Sequence, residues 1–200
     1  MKKSPIAQTI YLIFFSFLMS VFSTVKADHN HVKVYDQSNP TVFITGSNRG
    51  IGLALVRNYA IKGWNIIATC RSPERANDLN KLLGDYPNIL IEQLDVTDLD
   101  EIESLARKYE GVAIDVLINN AGILGDVEAQ TFGSLSQSTF EKVMAVNAYG
   151  PLKVAEAFSD NVALSKQKKI VSMTSGLGSM QITGNTDRFY FYRMSKAALN

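Results

Sequence analysis

The chain has one cysteine, two histidines and no excess of either charge, and each shortage excludes a class of protein. With Cys70 as the only cysteine among 200 residues, the chain is not a disulfide-bonded scaffold. Twenty Lys and Arg residues against 19 Asp and Glu give a net charge of +1, without the basic excess typical of nucleic-acid binding. Hydrophobic residues make up 46% of the sequence, too many for a disordered chain. The composition indicates one globular domain.

The first 27 residues have the pattern of a secretory signal peptide. Lys2 and Lys3 form a basic start, and residues 6–25 carry no charge and are rich in Phe, Leu and Ile. A run of about 20 apolar residues is also long enough to span a bilayer as an uncleaved anchor. Residues 1–27 are therefore predicted to be a signal peptide or signal anchor, so that the protein is exported or membrane-anchored, with a cytoplasmic location as the alternative. Membrane contact is expected only through residues 6–25.

Residues 28–40 are short and polar, and they are predicted to be a linker. The two histidines, His29 and His31, lie in this segment without a cysteine or a third histidine beside them. They are expected to be solvated, and no metal site is predicted.

After the linker, short apolar runs alternate with segments that have helical spacing. Strands are predicted at 41–45, 65–70, 88–94, 112–119 and 169–174, and helices at 51–62, 72–83, 97–109, 137–161 and from 192 onward. Pro151 predicts a kink in the fourth helix. This alternation predicts an α/β fold with a doubly wound parallel sheet, in which ligands bind beyond the carboxyl ends of the strands.

A glycine-rich turn joins the first strand to the first helix. Gly46 allows a tight turn, Gly50 allows the backbone to approach a pyrophosphate, and Gly52 allows the helix to pack closely on the strand. The N-terminus of the helix then offers N–H groups and a positive dipole to phosphates. This pattern predicts a dinucleotide site made by Gly46, Ser47, Asn48, Arg49, Gly50, Ile51 and Gly52.

The end of the second strand predicts which dinucleotide binds. Sites that prefer NAD carry an acidic residue there for the ribose 2′-hydroxyl, whereas this strand ends at Cys70 and Arg71. The guanidinium of Arg71, together with that of Arg49, suits a 2′-phosphate. NADP(H) is therefore the predicted cofactor, with NAD(H) as the less favoured alternative. Cys70 has no base beside it in the sequence and is expected to be an inert, buried thiol.

Further polar residues complete a set that resembles the short-chain dehydrogenase/reductase family. In the family's order, the set is the Thr45–Gly52 turn, Asp95, Asn119-Asn120-Ala121-Gly122, Asn147, Ser175 and Tyr192-x-x-x-Lys196. The more detailed similarity is to the carbonyl-reductase-like branch of C-factor and Sniffer, and it is carried by residues 177–179, 184–187 and 192–200. The resemblance covers residues 41–200 and implies a Rossmann-type fold that reduces an aldehyde or ketone with NADPH.

The resemblance assigns a proton-transfer role to Asn147, Ser175, Tyr192 and Lys196. A tyrosine phenol, with an ordinary pKa near 10, is a poor acid–base group unless a cation favours its ionised form. Lys196 lies four residues after Tyr192, on the same helix face, where it would stabilise the phenolate and bind the nicotinamide ribose. Ser175 would bind the substrate oxygen, with Ser179 as the alternative. Asn147 would hold a water in the relay.

A second Tyr-x-x-x-Lys pair occurs at Tyr149 and Lys153, and we interpret it as structural. It lies beside Pro151, and no strand with a serine at its end precedes it.

The remaining contacts to the cofactor are also implied by the resemblance. Asp95 would bind the adenine edge, or alternatively it would cap the helix that follows. The full set of residues assigned to the cofactor beyond the glycine turn is Arg71, Asp95, Val96, Asn119, Ala121, Gly122, Tyr192 and Lys196.

The family continues beyond the Tyr-Lys helix with further strands and a substrate lid, whereas this sequence ends at Asn200. The domain is therefore expected to be incomplete at its C-terminus, truncated after the catalytic helix, and the substrate is left as a small carbonyl or alcohol. A homo-oligomer is compatible with the family. The alternative function is a non-catalytic NADP-binding signalling protein resembling C-factor.

Overall fold

The computed structural model describes residues 36, 38–181 and 188–200. Within them, five parallel strands form one sheet in the order β3-β2-β1-β4-β5. The strands are β1 (Thr41–Ile44), β2 (Asn65–Cys70), β3 (Ile89–Gln93), β4 (Val116–Asn119) and β5 (Lys169–Ser172). The register places Phe43 beside Ile67 on one side and beside Leu117 on the other. The predicted parallel sheet is confirmed.

Helices connect the strands and cover the sheet. They are α1 (Gly50–Ile61), α2 (Asn77–Asn80), α3 (Leu99–Lys108), α4 (Gln137–Met144), α5 (Gly150–Ala157), α6 (Ser159–Leu164) and α7 (Tyr190–Leu199). Helix α3 begins where predicted, because the Asp98 carboxylate accepts the Glu101 N–H at 3.0 Å and so caps the first turn.

The inner strands of the sheet are buried on both faces and are mostly apolar. Val42 and Ile44 of β1 belong to one buried cluster with Leu53 and Val56 of α1. Phe43, which points to the other face, packs against Phe158 with the ring centroids 4.5 Å apart. All residues of β1, β2 and β4 are buried, and those of β5, at one edge of the described sheet, are exposed. This arrangement confirms the Rossmann-type, doubly wound fold.

The single helix predicted at 72–83 is wrong. The segment consists of a 3₁₀ turn at Pro73–Arg75, the four-residue α2, and a second 3₁₀ turn at Lys81–Gly84. Ala76, with φ −85° and ψ 57°, interrupts the helical path, and the Asn80 side chain donates to the Pro73 carbonyl across the break. Ser72 makes no capping hydrogen bond, so nothing starts a longer helix there.

Strand β4 begins four residues later than predicted. The segment before Asp115 bonds to α6 instead of to the sheet, because Asn161 donates its side-chain N–H groups to the Tyr109 and Val112 carbonyls. The Asn161 carbonyl also accepts the Ile114 N–H. The strand starts only after Asp115.

The long helix predicted at 137–161 is interrupted at two places. A π-helical turn at Ala145–Tyr149 separates α4 from α5, and Phe158, with φ −101° and ψ 10°, separates α5 from α6. Pro151 lies in the first turn of α5, directly after the π-helical turn, so the irregularity precedes the proline. Gly150 allows the start of α5 to lie close to the backbone of Val96, because a Cβ on it would lie 2.7 Å from the Val96 carbonyl oxygen.

Several predictions fall outside the described residues: the signal peptide or anchor over 1–27, most of the 28–40 linker with His29 and His31, and the 184–187 part of the family resemblance. They stay predictions from the sequence. In the ranges that the structure describes, no helix has the length and apolarity needed to cross a bilayer.

Candidate active site

A cavity of about 370 Å³ opens beyond the carboxyl ends of the central strands, where the fold predicts a ligand site. Eleven of the residues assigned to the cofactor line it. They are Gly46, Asn48, Arg49, Gly50, Ile51, Gly52, Arg71, Asp95, Val96, Ala121 and Gly122. The structure therefore brings the glycine turn, the end of β2 and the loops after β3 and β4 to one place.

Each of the three positions in the turn favours glycine for a different physical reason. A Cβ at Gly52 would lie 2.2 Å from the Gly46 carbonyl oxygen, so any side chain there would push the helix off the turn. Gly46 has φ +68°, and a Cβ on it would lie 2.9 Å from the Cα of Ala121. Gly50, with φ +57°, faces open space, with no atom within 4 Å of the position of a Cβ. Gly46 and Gly52 thus shape the turn, and Gly50 leaves room above it.

Thr45 and Asn120 brace this turn, and the sequence analysis did not assign Asn120. The Thr45 hydroxyl oxygen accepts the N–H groups of Asn120 and Ala121, each at 3.0 Å. The Asn120 side chain donates back to the carbonyls of Thr45 and Gly46 at 2.9 and 3.1 Å. Asn120 also lines the cavity. Its position in the Asn119-Asn120 pair was the one signal available in the sequence.

Ser47 and Asn119, which were assigned to the cofactor, lie behind the cavity wall. The Ser47 hydroxyl donates to the Ile44 carbonyl and its N–H donates to the Thr69 carbonyl, so neither group faces the cavity. Asn119 donates its side-chain N–H to the Pro151 carbonyl at 3.0 Å and joins β4 to α5. Both residues are buried and hold the frame of the site.

The charged residues at the cavity rim have distinct roles. Arg49 and Arg71 are exposed, and neither takes part in an ion pair within the described part of the chain. Asp95 accepts from the N–H and hydroxyl of Thr97 at 2.9 and 2.7 Å, so its carboxylate supports the turn that precedes α3. The local role considered for Asp95 is thus present, although Asp98 is the helix cap itself. Cys70 is buried in the same wall, and burial raises the pKa of its thiol.

Tyr192 and Lys196 lie together on α7. Lys196 is 6% exposed, and its Nζ donates to the Met173 carbonyl at 2.7 Å, just beyond the end of β5. The same Nζ lies 5.8 Å from the centroid of the Tyr192 ring. Burial lowers the pKa of Lys196.

Gly122 joins this pair to the cavity. Gly122 lines the cavity, and a Cβ on it would lie 3.3 Å from the Asn147 Oδ1 and 3.7 Å from the Lys196 Nζ. Tyr192 and Lys196 are not among the residues that line the cavity itself. Gly122 therefore lies between the residues that line the cavity and the Tyr192–Lys196 pair.

Asn147 and Ser175 have partners within the chain. The Asn147 side chain is fully buried and exchanges two hydrogen bonds with the backbone of Ile123, each at 2.8 Å, and it also donates to the Ser195 hydroxyl. Ser175 accepts the Leu177 N–H at 3.2 Å and starts the Gly176–Gly178 turn. That turn packs on α7, because a Cβ at Gly178 would lie 2.7 Å from the Lys196 carbonyl carbon. Ser179, the alternative to Ser175, accepts the Gln181 N–H.

The second Tyr-x-x-x-Lys pair has a different environment. Tyr149 is 53% exposed in the π-helical turn, and Lys153 is ion-paired with Glu156. Neither residue lines the cavity. Across the described ranges, no group of three or more His, Cys, Asp or Glu side chains is placed to hold a metal ion.

Residues 40–200 match the short chain dehydrogenase family. Among curated proteins, an uncharacterized oxidoreductase of Schizosaccharomyces pombe is 33% identical over 174 residues, which cover 82% of this chain and 64% of the relative. A (+)-neomenthol dehydrogenase of Arabidopsis thaliana is 32% identical over 160 residues, which cover 69% and 54%. The chain thus spans less than two thirds of the length of these two relatives.

Solved structures lead to the same family. A short-chain dehydrogenase/reductase from Burkholderia multivorans with bound NADP has a TM-score of 0.72 and 33% identity over 80% of this chain and 69% of its own. An NADPH-bound carbonyl reductase from chicken fatty liver has a TM-score of 0.72 and 33% identity over 80% and 70%. Carbonyl reductase Sniffer of D. melanogaster has a TM-score of 0.69 and 29% identity over 80% and 71%. The chain belongs to the short-chain dehydrogenase family, in its carbonyl-reductase-like branch.

Proposed function

We propose that the protein reduces the carbonyl group of an aldehyde or ketone to an alcohol with NADPH. The observation that carries the proposal is the position of Lys196, whose buried Nζ lies 5.8 Å from the Tyr192 ring and close to Gly122 in the cavity wall. The proposed proton donor, Tyr192, thus lies with its lysine beside a cavity that has the features of a dinucleotide site. The carbonyl reductases among the similar structures support this choice of substrate class.

The residues of the cavity fit a dinucleotide phosphate. Helix α1 begins at Gly50 without a capping side chain and without an acidic residue in its first turn, which leaves N–H groups and the positive end of the dipole for an anion. Gly50 leaves open space above that turn. Gly46, Asn48 and Gly52 would hold the pyrophosphate. When bound, NADPH supplies the hydride for the substrate carbon.

The chain's own side chains would handle the proton. Tyr192 would donate a proton to the carbonyl oxygen as the oxygen gains charge, and the Lys196 ammonium would stabilise the phenolate that remains. Ser175 would donate a hydrogen bond to the same oxygen. Both N–H hydrogens of the Asn147 side chain are already donated, so a relay water would bond to one of its oxygens.

Preference for NADP over NAD would depend on Arg71. Replacing Arg71 with alanine is expected to weaken NADP⁺ binding about tenfold or more, because a charge-assisted bond to a phosphate contributes about 1.5–3 kcal/mol. NAD⁺ binding should change less than about twofold, since NAD⁺ lacks the 2′-phosphate. Titration of each dinucleotide into the protein measures both constants.

The matched control is Arg75→Ala. Arg75 lies on the same segment, but it is exposed, ion-paired with Glu74 and outside the cavity. The Arg75→Ala substitution should leave the dissociation constants for NADP⁺ and NAD⁺ unchanged. An equal loss of NADP⁺ and NAD⁺ affinity in Arg71→Ala would contradict the assignment.

The experiment that tests the proposed function is replacement of Tyr192, followed by the rate of NADPH consumption with a panel of aldehydes and ketones. A reductase loses this activity, whereas a non-catalytic NADP-binding protein has none to lose.

A further inference from the structure

Helix α7, which carries Tyr192, begins without a cap of its own. The residue at its N-cap, Phe189, has φ 65° and ψ 26°, a left-handed conformation that is strained for a bulky side chain. Its side chain caps no N–H group, and the first turn contains no acidic residue. The N–H groups of this turn are therefore available to acceptors from elsewhere in the chain.

Gln130 supplies such an acceptor from 62 positions away in the sequence. Its side chain is fully buried, and its Oε1 accepts the Tyr192 N–H at 3.0 Å. Its Nε2 donates to the carbonyl oxygens of Leu124 at 2.8 Å and Asp126 at 3.1 Å. One buried amide thus ties the backbone of Tyr192 to the loop that follows β4, here called the 123–126 loop.

The 123–126 loop is shaped for this contact. Gly125 has φ +83°, and a Cβ on it would lie 2.6 Å from the Val143 Cγ2 and 3.2 Å from the Gln130 Nε2. Because Gly125 bends the chain here, the carbonyls on either side of it converge on one nitrogen. A side chain at this position would open the loop and separate the acceptors from Gln130.

A second chain of bonds holds the other side of the Tyr192 backbone. The Ser195 hydroxyl donates to the Tyr192 carbonyl at 2.7 Å and accepts from the Asn147 amide at 3.0 Å. Asn147 in turn bonds to the N–H and carbonyl of Ile123, which lines the cavity. Both backbone groups of Tyr192 are therefore linked to the 123–126 loop, one through Gln130 and one through Asn147.

We propose that Gln130 is a positioning residue that fixes Tyr192 relative to the cofactor cavity. The inference rests on the proposed function, because it assigns to Tyr192 the proton transfer described above. Gln130 acts only through the Tyr192 backbone and the 123–126 loop. Loss of this connection would let the phenol move relative to the reacting atoms, and small displacements of that kind lower rates by large factors without removing any catalytic group.

The test compares two substitutions in the full chain. Gln130→Met has a similar volume and no polar atom to replace the amide, and we expect it to lower kcat for carbonyl reduction about tenfold or more, with KM and Kd for NADPH within about twofold of the parent. Gln130→Glu keeps an acceptor for the Tyr192 N–H, and only its protonated form can donate to a loop carbonyl. Relative to the parent at the same pH, its kcat should therefore recover as the pH falls, whereas the ratio of Gln130→Met to the parent should not change with pH. Gln137→Met, at an exposed glutamine on α4, is the control and should behave as the parent.

Two results would overturn the proposal. One is a folded Gln130→Met chain with kcat within about twofold of the parent. The other, which decides the matter if that variant does not fold, is a Gln130→Glu chain whose kcat, relative to the parent at the same pH, does not recover at lower pH.

Amide hydrogen exchange of Tyr192 separates this proposal from the function itself. The Tyr192 N–H should exchange slowly in the parent, and fast exchange refutes the role of Gln130 even where no reduction is detected. Slow exchange without any reduction would refute the proposed function and leave the Gln130 contact intact.

Discussion

Replacing Tyr192 with phenylalanine is expected to lower carbonyl reduction by about 10²- to 10⁴-fold, the usual contribution of a positioned general acid. The substitution removes one hydroxyl from a half-buried ring and leaves Lys196 bonded to the Met173 carbonyl. NADP⁺ affinity should stay within about twofold, because Tyr192 does not line the cavity. The measurement is the rate of NADPH consumption with a reactive aldehyde, paired with a dinucleotide titration.

The second Tyr-x-x-x-Lys pair provides the matched control. Tyr149→Phe makes the same chemical change at a tyrosine that is 53% exposed and outside the cavity. Its activity should equal that of the parent. If Tyr149→Phe rather than Tyr192→Phe abolished reduction, the assignment of the catalytic pair would be reversed.

Replacing Gly52 with alanine is expected to destabilise the folded chain by about 3 kcal/mol or more, at the upper end of the range for overpacked sites. The new Cβ would lie 2.2 Å from the Gly46 carbonyl oxygen and 2.6 Å from the Asn120 Nδ2, so backbone must shift and the brace to Asn120 must open. For a domain of this size, that loss lowers the midpoint of thermal unfolding by about 6 to 12 °C. NADP⁺ affinity should fall as well, since α1 would move relative to the turn.

Gly84→Ala controls for the loss of a glycine. Gly84 lies at the end of a 3₁₀ turn, and a Cβ on it meets no atom within 4 Å. Its unfolding midpoint should stay close to that of the parent. A Gly52→Ala chain as stable as the parent would show that the close contact between α1 and the turn is not needed.

The order of strands and helices could be predicted because short-range patterns determine it. Each inner strand is a short apolar run between turn signals, and glycine marks the junction of β1 and α1. Ser72 and Pro73 are typical of a helix start and were misleading at 72–83, because a helix also needs the capping bond to form and an uninterrupted backbone. Ser72 makes no capping bond, and Ala76 leaves the helical region. The missing cap and the break at Ala76 both depend on local backbone geometry, which the residue types alone do not predict.

The assigned site residues divide according to how far apart in the chain their partners lie. The glycine turn and Arg71 line the cavity because they directly follow strands. Asn120 and Gln130 were missed because the side chain of each acts through partners distant in sequence, 75 positions away for the Thr45 carbonyl and 62 for the Tyr192 N–H. The residue type alone does not show which distant backbone groups a side-chain amide will bond. Its partners become apparent only when the fold brings them together.

The most direct test of this account is thermal unfolding of the chain with NADP⁺, with NAD⁺ and without ligand. A dinucleotide present at about 100 times its Kd should stabilise the fold by roughly 2.7 kcal/mol. The account predicts a raised midpoint with NADP⁺ and a smaller rise with NAD⁺ at the same concentration, because Arg49 and Arg71 at the cavity rim would bind the 2′-phosphate. A midpoint that neither dinucleotide changes, or that NAD⁺ raises more, would contradict it.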